Sequence, residues 1–592
     1  MARYGWRERP MTHTLRQVLR FGDCELDVHG YVLRRKGRPV RLERQPMDLL
    51  ILLIGRRPDL VTRQDIVTHL WGDGVFLDVE TGINTAIRKV RRAVNDGKAG
   101  SPWCIETVAG KGYRFVADVA EVTTADRRAV MLAVMPFVNL SGDPEVEYVA
   151  DGLTEDAIAA ISQVDPERLR VIGRTSSMSY KNTRKSLVAI GSDLKVQFIV
   201  DGSIRTRDRR IQVRCTLNRV GDHTQIASVA ADCDTTALTG VAHELSVALA
   251  AHIPLSASPE RIASLSRRQS ASGDAYDAYL RGRRFWYQLT PATTRKAVEY
   301  YTRATEIDPA YALAWTGIAE AFASAPINGD AEPTAMWSRS RDAARLAFKA
   351  NPHLSEAHAV NGQVNWFFEW DWLTALGWHR RAIALDASNA WSHTMAGHIL
   401  SQMGRHDEGR PFMDQACALE PMAAVHYAMA SQVAFQASDF EAARQYARRA
   451  IAIDPEFWVG HMMLGQASEQ LAEVDVALDA LTTASRLSDG NSKPVGLRGY
   501  ILATCGRTEA AHEVLSTLLD VSRVRYVPPF AMALVHAGLG HEQEVFEWLA
   551  RAYDARDVHL AFLTVDTKWD RFRFDPRFVA LLEKCAFFPR GS

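Results

Sequence analysis

Residues 79–95 read VETGINTAIRKVRRAVN, and the alternation of apolar and polar positions in this stretch decides how the first part of the chain folds. Ile83, Ile87, Val90 and Val94 recur at spacings of four, three and four, the interval that stacks side chains on one side of an α-helix. The opposite side carries Thr81, Asn84, Thr85, Arg88, Lys89, Arg91 and Arg92. Such a helix fits the DNA major groove: Arg bonds guanine edges, Asn or Thr reads bases, and the remaining cations meet phosphates. A basic helix by itself is more often a solvated surface, so its flanks must decide.

After the helix, residues 104–108 and the glycine-bounded run 110–115 form a hairpin pattern with Lys111 and Arg114 on the outside, a basic wing. Before it, alternating segments at 21–26, 31–34 and 39–42 read as a small antiparallel sheet. An apolar helix is expected over 45–54, broken by Pro58, and a second from a Thr62 cap to Leu70. Residues 1–120 hold 21 Lys+Arg against 14 Asp+Glu, although the formal charge of the 592-residue chain is zero. A polyanion feels that local excess whatever the total charge.

On Leu26-Asp27, Leu49-Leu50, Leu70-Trp71-Gly72, Arg88 to Arg92, Thr107-Val108 and Gly110 to Phe115, the stretch 21–116 resembles the OmpR/PhoB-type winged-helix domain. The resemblance implies a helix in the major groove and a wing on the adjacent minor groove or backbone. It also implies a loop at 72–78 that contacts RNA polymerase, and heads that pair as a homodimer on double-stranded DNA. It directs Thr81, Thr85, Arg88, Lys89, Arg91, Lys111 and Arg114 toward DNA. Two residues depart from it: Ala86 stands where relatives often have a polar base-reader, and Ala109 where Arg is common.

The middle, 128–255, alternates strand and helix patterns: strands over 129–137, 169–173, 196–204, 211–220 and 224–231, and helices over 144–164, 186–194 and 236–252. Its phrases at 135–144, 150–156 and 200–205 resemble the TolB-like amino-terminal domain. Asp151, Glu155 and Asp156 cluster near a helix start, where the dipole favours acids without a metal.

From 274 to 570 the sequence repeats. Gly362, Gly397, Ser431, Gly465 and Gly499 are 35, 34, 34 and 34 residues apart, and Pro352, Ala387, Pro421 and Pro455 step by 35, 34 and 34. That period is the tetratricopeptide signature of two helices per repeat, and stacked repeats build a groove for a protein or peptide ligand. Seven or eight repeats are expected, with an insertion around 326–333. Trp366, Phe367, Phe368, Trp370 and Trp372 fall on consecutive turns, which leaves core filling and a ligand-facing patch both open. The histidines and the pairs Arg380-Arg381 and Arg448-Arg449 read as solvated surface.

The expected class is therefore a multidomain α+β protein: a winged helix at 19–120, an α/β middle domain and an all-α tetratricopeptide solenoid. No phosphate loop, nucleophile elbow or zinc-protease motif occurs, and His243-Glu244 and His541-Glu542 lack the second His four residues on. No enzyme, cofactor or metal is expected. Seven dispersed cysteines without a C-x-x-C pair, and no apolar run near the roughly 20 residues of a membrane span, point to a cytoplasmic protein. The rival reading is a scaffold whose winged helix only docks proteins.

Overall fold

The computed structural model describes residues 18–27, 32–35, 38–40, 42–71, 79–94, 104–122, 129–207, 210–234, 240–253, 272–288 and 290–587. The chain divides into two compact units, Met1–Arg128 and Ala129–Ser592.

In the first unit, β1 (Val18–Phe21), β2 (Cys24–Asp27), β3 (Val32–Arg35) and β4 (Arg38–Val40) form an antiparallel meander. Residues 21–26, expected as one strand, are instead a hairpin: Gly22 takes φ +55°, so Phe21 pairs with Cys24. The helices α1 (Arg44–Gly55), α2 (Arg63–Trp71) and α3 (Val79–Val94) follow. Between them lies β5 (Val61–Thr62), which joins β7 (Gly112–Phe115) and β6 (Ile105–Val108) in a second sheet. A short β8 (Ala120–Val122) returns to pair with β1.

Thr62 caps α2 as expected. Its hydroxyl accepts from the Asp65 amide at 3.1 Å, while the Asp65 carboxylate accepts from the Thr62 amide at 2.9 Å. This reciprocal arrangement satisfies two otherwise unpaired donors at the helix start. Leu26, Leu33, Leu49, Leu50, Ile66, Ile83, Ile87 and Val90 meet in one core, with Phe21 and Phe115 edge to face at 5.2 Å.

The second unit opens on a six-stranded mixed sheet. It is built from β9 (Val130–Val134), β10 (Val138–Asn139), β11 (Leu169–Val171), β12 (Phe198–Arg207), β13 (Arg210–Arg219) and β14 (Thr224–Asp234). Strand alternation sends Leu132 and Val134 to one face, beneath α4 (Glu147–Ser162), and Ala133 and Met135 to the other. That second face also receives α6 (Leu187–Leu194), which follows the single-turn α5 (Arg174–Met178). Helix α7 (Val241–Ala250) packs on α4 and on β14.

Helix pairs then stack. They are α8–α9 (Gly273–Trp286, Pro291–Ile307), α10–α11 (Ala312–Asn328, Pro333–Ala350), α12–α13 (Ser355–Val364, Trp372–Leu385) and α14–α15 (Ala390–Gln402, His406–Leu419). After them come α16–α17 (Ala424–Gln436, Phe440–Ile453), α18–α19 (Trp458–Gln470, Val474–Leu487), α20–α21 (Ser492–Thr504, Thr508–Ser522) and α22–α23 (Pro529–Leu539, Glu542–Asp554), then α24 (Pro576–Lys584).

The repeated small residues lie where helices cross. A Cβ on Gly362 would sit 2.5 Å from His379, on Gly397 2.7 Å from Met413, and on Gly465 2.6 Å from Leu481. The extra residues around 326–333 form no separate insertion; they lengthen α10 and α11 to 17 and 18 residues, against 13 and 14 in α14 and α15.

The aromatic cluster is core. A π-helical turn at Asn365–Glu369 and a left-handed Trp370 reverse the chain, so Trp366, Phe367, Trp370 and Trp372 are all buried. Phe587 stacks on Trp372 at 4.6 Å, and the segment before it touches the first helices of distant repeats. There the Thr564 hydroxyl donates to the Gln402 carbonyl at 3.0 Å, and the Lys568 ammonium lies 4.6 Å from the Phe435 ring centre. Three successive helix pairs thus already hold residues of the 564–587 segment.

Two surface expectations divide. Arg380, Arg381, Arg448 and Arg449 are exposed, but His379, His393, His398 and His426 are buried between repeats. The acids expected to cap α4 lie in its second and third turns and tie it to other elements. Asp151 pairs with Lys181, Asp156 accepts from the Tyr276 hydroxyl, and Glu155 meets both Arg174 and Arg283.

Candidate nucleic-acid interface

Helix α3 is amphipathic in space as in sequence: Ile83, Ala86, Ile87, Val90, Ala93 and Val94 are buried, while Asn84, Arg88 and Arg92 are exposed. Ala86 faces the core, so its identity says nothing about a missing base-reader. Thr85 is half-buried beside Arg88, and the Thr81 side chain lies outside the described residues. The loop at 72–78 lies outside them as well.

A turn of about 100° per residue puts Arg88 and Arg92 near the centre of the polar face and swings Lys89 and Arg91 roughly 80° to either side. Each flanking cation is engaged within the unit. The Lys89 ammonium pairs with Glu43 at 2.7 Å, just before α1, and the Arg91 guanidinium donates to the Ile105 carbonyl at 2.8 Å and the Thr107 hydroxyl at 2.9 Å. Arg91 therefore links α3 to the first strand of the wing. The Arg88 and Arg92 side chains make no hydrogen bond or ion pair among the described residues.

The wing is set by two glycines. Gly110 takes φ +70° in the turn, where a left-handed backbone suits a residue without Cβ. Gly112 lies so close to β5 that a Cβ would strike the Val61 carbonyl. Lys111, between them, is exposed at the tip. Arg114 is half-buried and reaches Glu106 across the hairpin at 3.4 Å. Tyr113 is buried, and its hydroxyl donates to the Asn84 side-chain oxygen on α3 at 2.9 Å. Sequence reading did not anticipate this bond, which forms between residues 29 positions apart.

Two cations on the helix face and one at the wing tip thus stand beside an exposed amide. Such a surface can meet phosphates with charge and base edges with hydrogen bonds. Among the described residues no group of His, Cys, Asp and Glu could hold a metal ion, and no helix is long and apolar enough to cross a membrane.

Residues 37–115 match the family described as "Transcriptional regulatory protein, C terminal", and residues 392–421 and 426–457 match the tetratricopeptide repeat. Three curated relatives are similar to parts of the chain. The putative adenylate cyclase 3 of Rhizobium meliloti is 30% identical over 285 residues, 47% of this chain and 41% of that protein. The transcriptional regulator HilA of Salmonella typhimurium is 22% identical over 361 residues, 58% of this chain and 60% of that one. The phosphate regulon transcriptional regulatory protein PhoB of Rhizobium meliloti is 30% identical over 105 residues, 18% of this chain and 45% of that one. The chain spans less than two thirds of the length of each. Residues 37–115 are accordingly an OmpR/PhoB-type winged-helix domain, on a chain that carries tetratricopeptide repeats further along.

Proposed function

We propose that this chain is a sequence-specific DNA-binding transcriptional regulator whose helix α3 enters the major groove while the wing grips the neighbouring backbone. The observation that carries this reading is the exposed face of Asn84, Arg88 and Arg92 beside Lys111, within a domain that matches the regulatory family. Thr81 and Thr85 border the same face. Lys89, Arg91 and Arg114 stand at its edges, where partly exposed cations also draw phosphates. The names of the HilA and PhoB relatives favour regulation over a catalytic role.

In this reading the chain has three working parts: a DNA-reading head at 19–120, a TolB-like middle at 128–255 and a repeat array at 274–570. The head binds as a pair on repeated half-sites, and the loop at 72–78 meets RNA polymerase. A protein or small ligand at the repeats or the middle alters how the heads pair. A peptide entering the repeat groove meets the chain's own C-terminal segment first.

Salt dependence tests the reading. Each phosphate contact releases condensed counterions, so the affinity of the intact protein for duplex DNA should fall steeply with salt. Lys111→Ala, at the tip of the wing that grips the backbone, should reduce the slope of log affinity against log salt by about 1. A slope near zero would remove the surface from DNA, and one that Lys111→Ala leaves unaltered would remove the wing from the backbone contact.

A further inference from the structure

Asn84 is the exposed amide on the helix face, and one of its two functional ends is already in use. The Tyr113 hydroxyl, held by a buried ring on β7, donates to the Asn84 side-chain oxygen at 2.9 Å. A phenol is a strong donor through its O–H and a weak acceptor through an oxygen whose lone pair is shared with the ring. An amide oxygen is the better acceptor, so the bond favours oxygen toward the wing and the NH2 group toward solvent. The Arg63 guanidinium lies 5.8 Å from the Tyr113 ring centre and pairs with Glu80 on α3 at 3.0 Å, which bounds the same corner from the far side.

The orientation of this amide matters for base choice. An asparagine reads adenine by presenting oxygen and NH2 side by side, the oxygen accepting from N6 and the NH2 donating to N7. With the oxygen drawn aside to Tyr113, that paired edge no longer faces the groove. What faces outward is a donor. In the major groove guanine offers two adjacent acceptors, O6 and N7, whereas adenine sets its own N6 donor beside a single acceptor.

We infer that Tyr113 makes Asn84 a donor-only reader that favours guanine over adenine at the base pair it meets; this rests on the DNA-binding reading above. Tyr113 is then a positioning residue that acts on specificity through another side chain and never touches a base itself. The Tyr113–Asn84 bond also joins the wing to α3, so the preference is set by the contact that fixes their relative placement.

The test is selection of bound duplexes from a randomised double-stranded library by the intact protein, followed by affinity measurements with all four bases at the informative position. Asn84→Ala marks that position as the base pair whose preference it flattens. Wild type should favour guanine over adenine there by about tenfold, a discrimination of the size one good base contact supplies. Tyr113→Phe keeps the ring and frees the amide to turn, so adenine should rise at least to parity with guanine. Asn84→Asp keeps the acceptor for Tyr113 but lacks the outward donor, and should lose the guanine preference. Ratios between bases are taken within each variant, so a general loss of wing packing lowers all four together and leaves the ratio unmoved.

A wild-type preference for adenine at the marked pair would overturn the inference, as would a guanine-to-adenine ratio unchanged in Tyr113→Phe. If Asn84→Ala flattens no position while wild type still selects a sequence, Asn84 is no reader and the inference falls alone. If wild type selects no sequence at all, the DNA-binding reading falls and takes this one with it.

Discussion

Glu420 shows how much one side chain can decide. It sits on the loop after α15, is only 7% exposed, and its carboxylate accepts from the backbone amides of Thr175 at 3.1 Å and Ser176 at 2.7 Å. Those amides are unpaired donors at the start of α5, so the acid from the repeats completes a helix terminus that belongs to the sheet. Gly173 must be small because a Cβ there would strike the same carboxylate. Burial raises the Glu420 carboxyl above its usual range, and the hydrogen bonds from the start of α5 offset only part of that. Removing the acceptor strands the buried Ser176 amide, at roughly 1–3 kcal/mol, and the more exposed Thr175 amide at about 1 kcal/mol or less. Glu420→Ala should therefore destabilise the second unit by about 2–4 kcal/mol in chemical denaturation, while Glu420→Gln, which keeps an acceptor, should cost about half as much or less. Equal stability of wild type and Glu420→Ala would show that this contact does not hold the sheet to the repeats.

Between elements, the link to examine is Arg91, because it joins α3 to β6 rather than standing free on the helix face. Its guanidinium is partly exposed, so its two hydrogen bonds are screened and together worth about 1 kcal/mol. Arg91→Ala should speed amide exchange through β6 while leaving the core of α1 and α3 protected; unchanged exchange at Ile105 to Val108 would count against the link. Elements of this kind mark where sequence reading stopped. The buried stripe of α3 was legible because Ile83, Ile87, Val90 and Val94 repeat with the period of the helix itself, and the wing because Gly110 and Gly112 punctuate it. The turn at Gly22 was not, although the apolar positions shift register across it from Leu19 and Phe21 to Cys24 and Leu26, because so short a break stands out only once the two strands are seen to pair. Nor were the partners of Glu155, because Arg283 lies 128 residues away and no local pattern announces it. The repeats were legible in spacing, yet the burial of their histidines was not: whether a polar ring faces solvent depends on the neighbouring repeat.

Across the whole second unit those histidines and a smaller set of acids set opposing demands on pH. Burial lowers His379 to about 3 and His393, His398 and His426 to about 4, from an ordinary value near 6.5. Burial also raises Glu320 to about 7 and Asp386 to about 6. Between about pH 4 and 6 the unfolded chain binds protons at the four histidines that the folded chain refuses, and the folded chain keeps protons on the two acids that the unfolded chain releases. The histidines win by about two protons, and each is worth about 1.4 kcal/mol per pH unit, so stability should fall by roughly 2–3 kcal/mol per unit as pH drops below 6. At pH 6.5 the unfolded histidines are still about half protonated, and their demand is spent only above about pH 7.5. Between pH 6.5 and 8 the four histidines still outweigh the acids, although Glu320 loses its proton inside the fold near 7, so stability should rise by less than about 1 kcal/mol and then level off. Denaturant titrations of the intact chain at pH 5, 6.5 and 8, followed by helical circular dichroism, should show the lowest stability at pH 5, a steep gain to 6.5 and little further change to 8. If stability rose steadily toward pH 5 instead, the acids would outweigh the histidines and the packing between repeats would have to admit protonated rings.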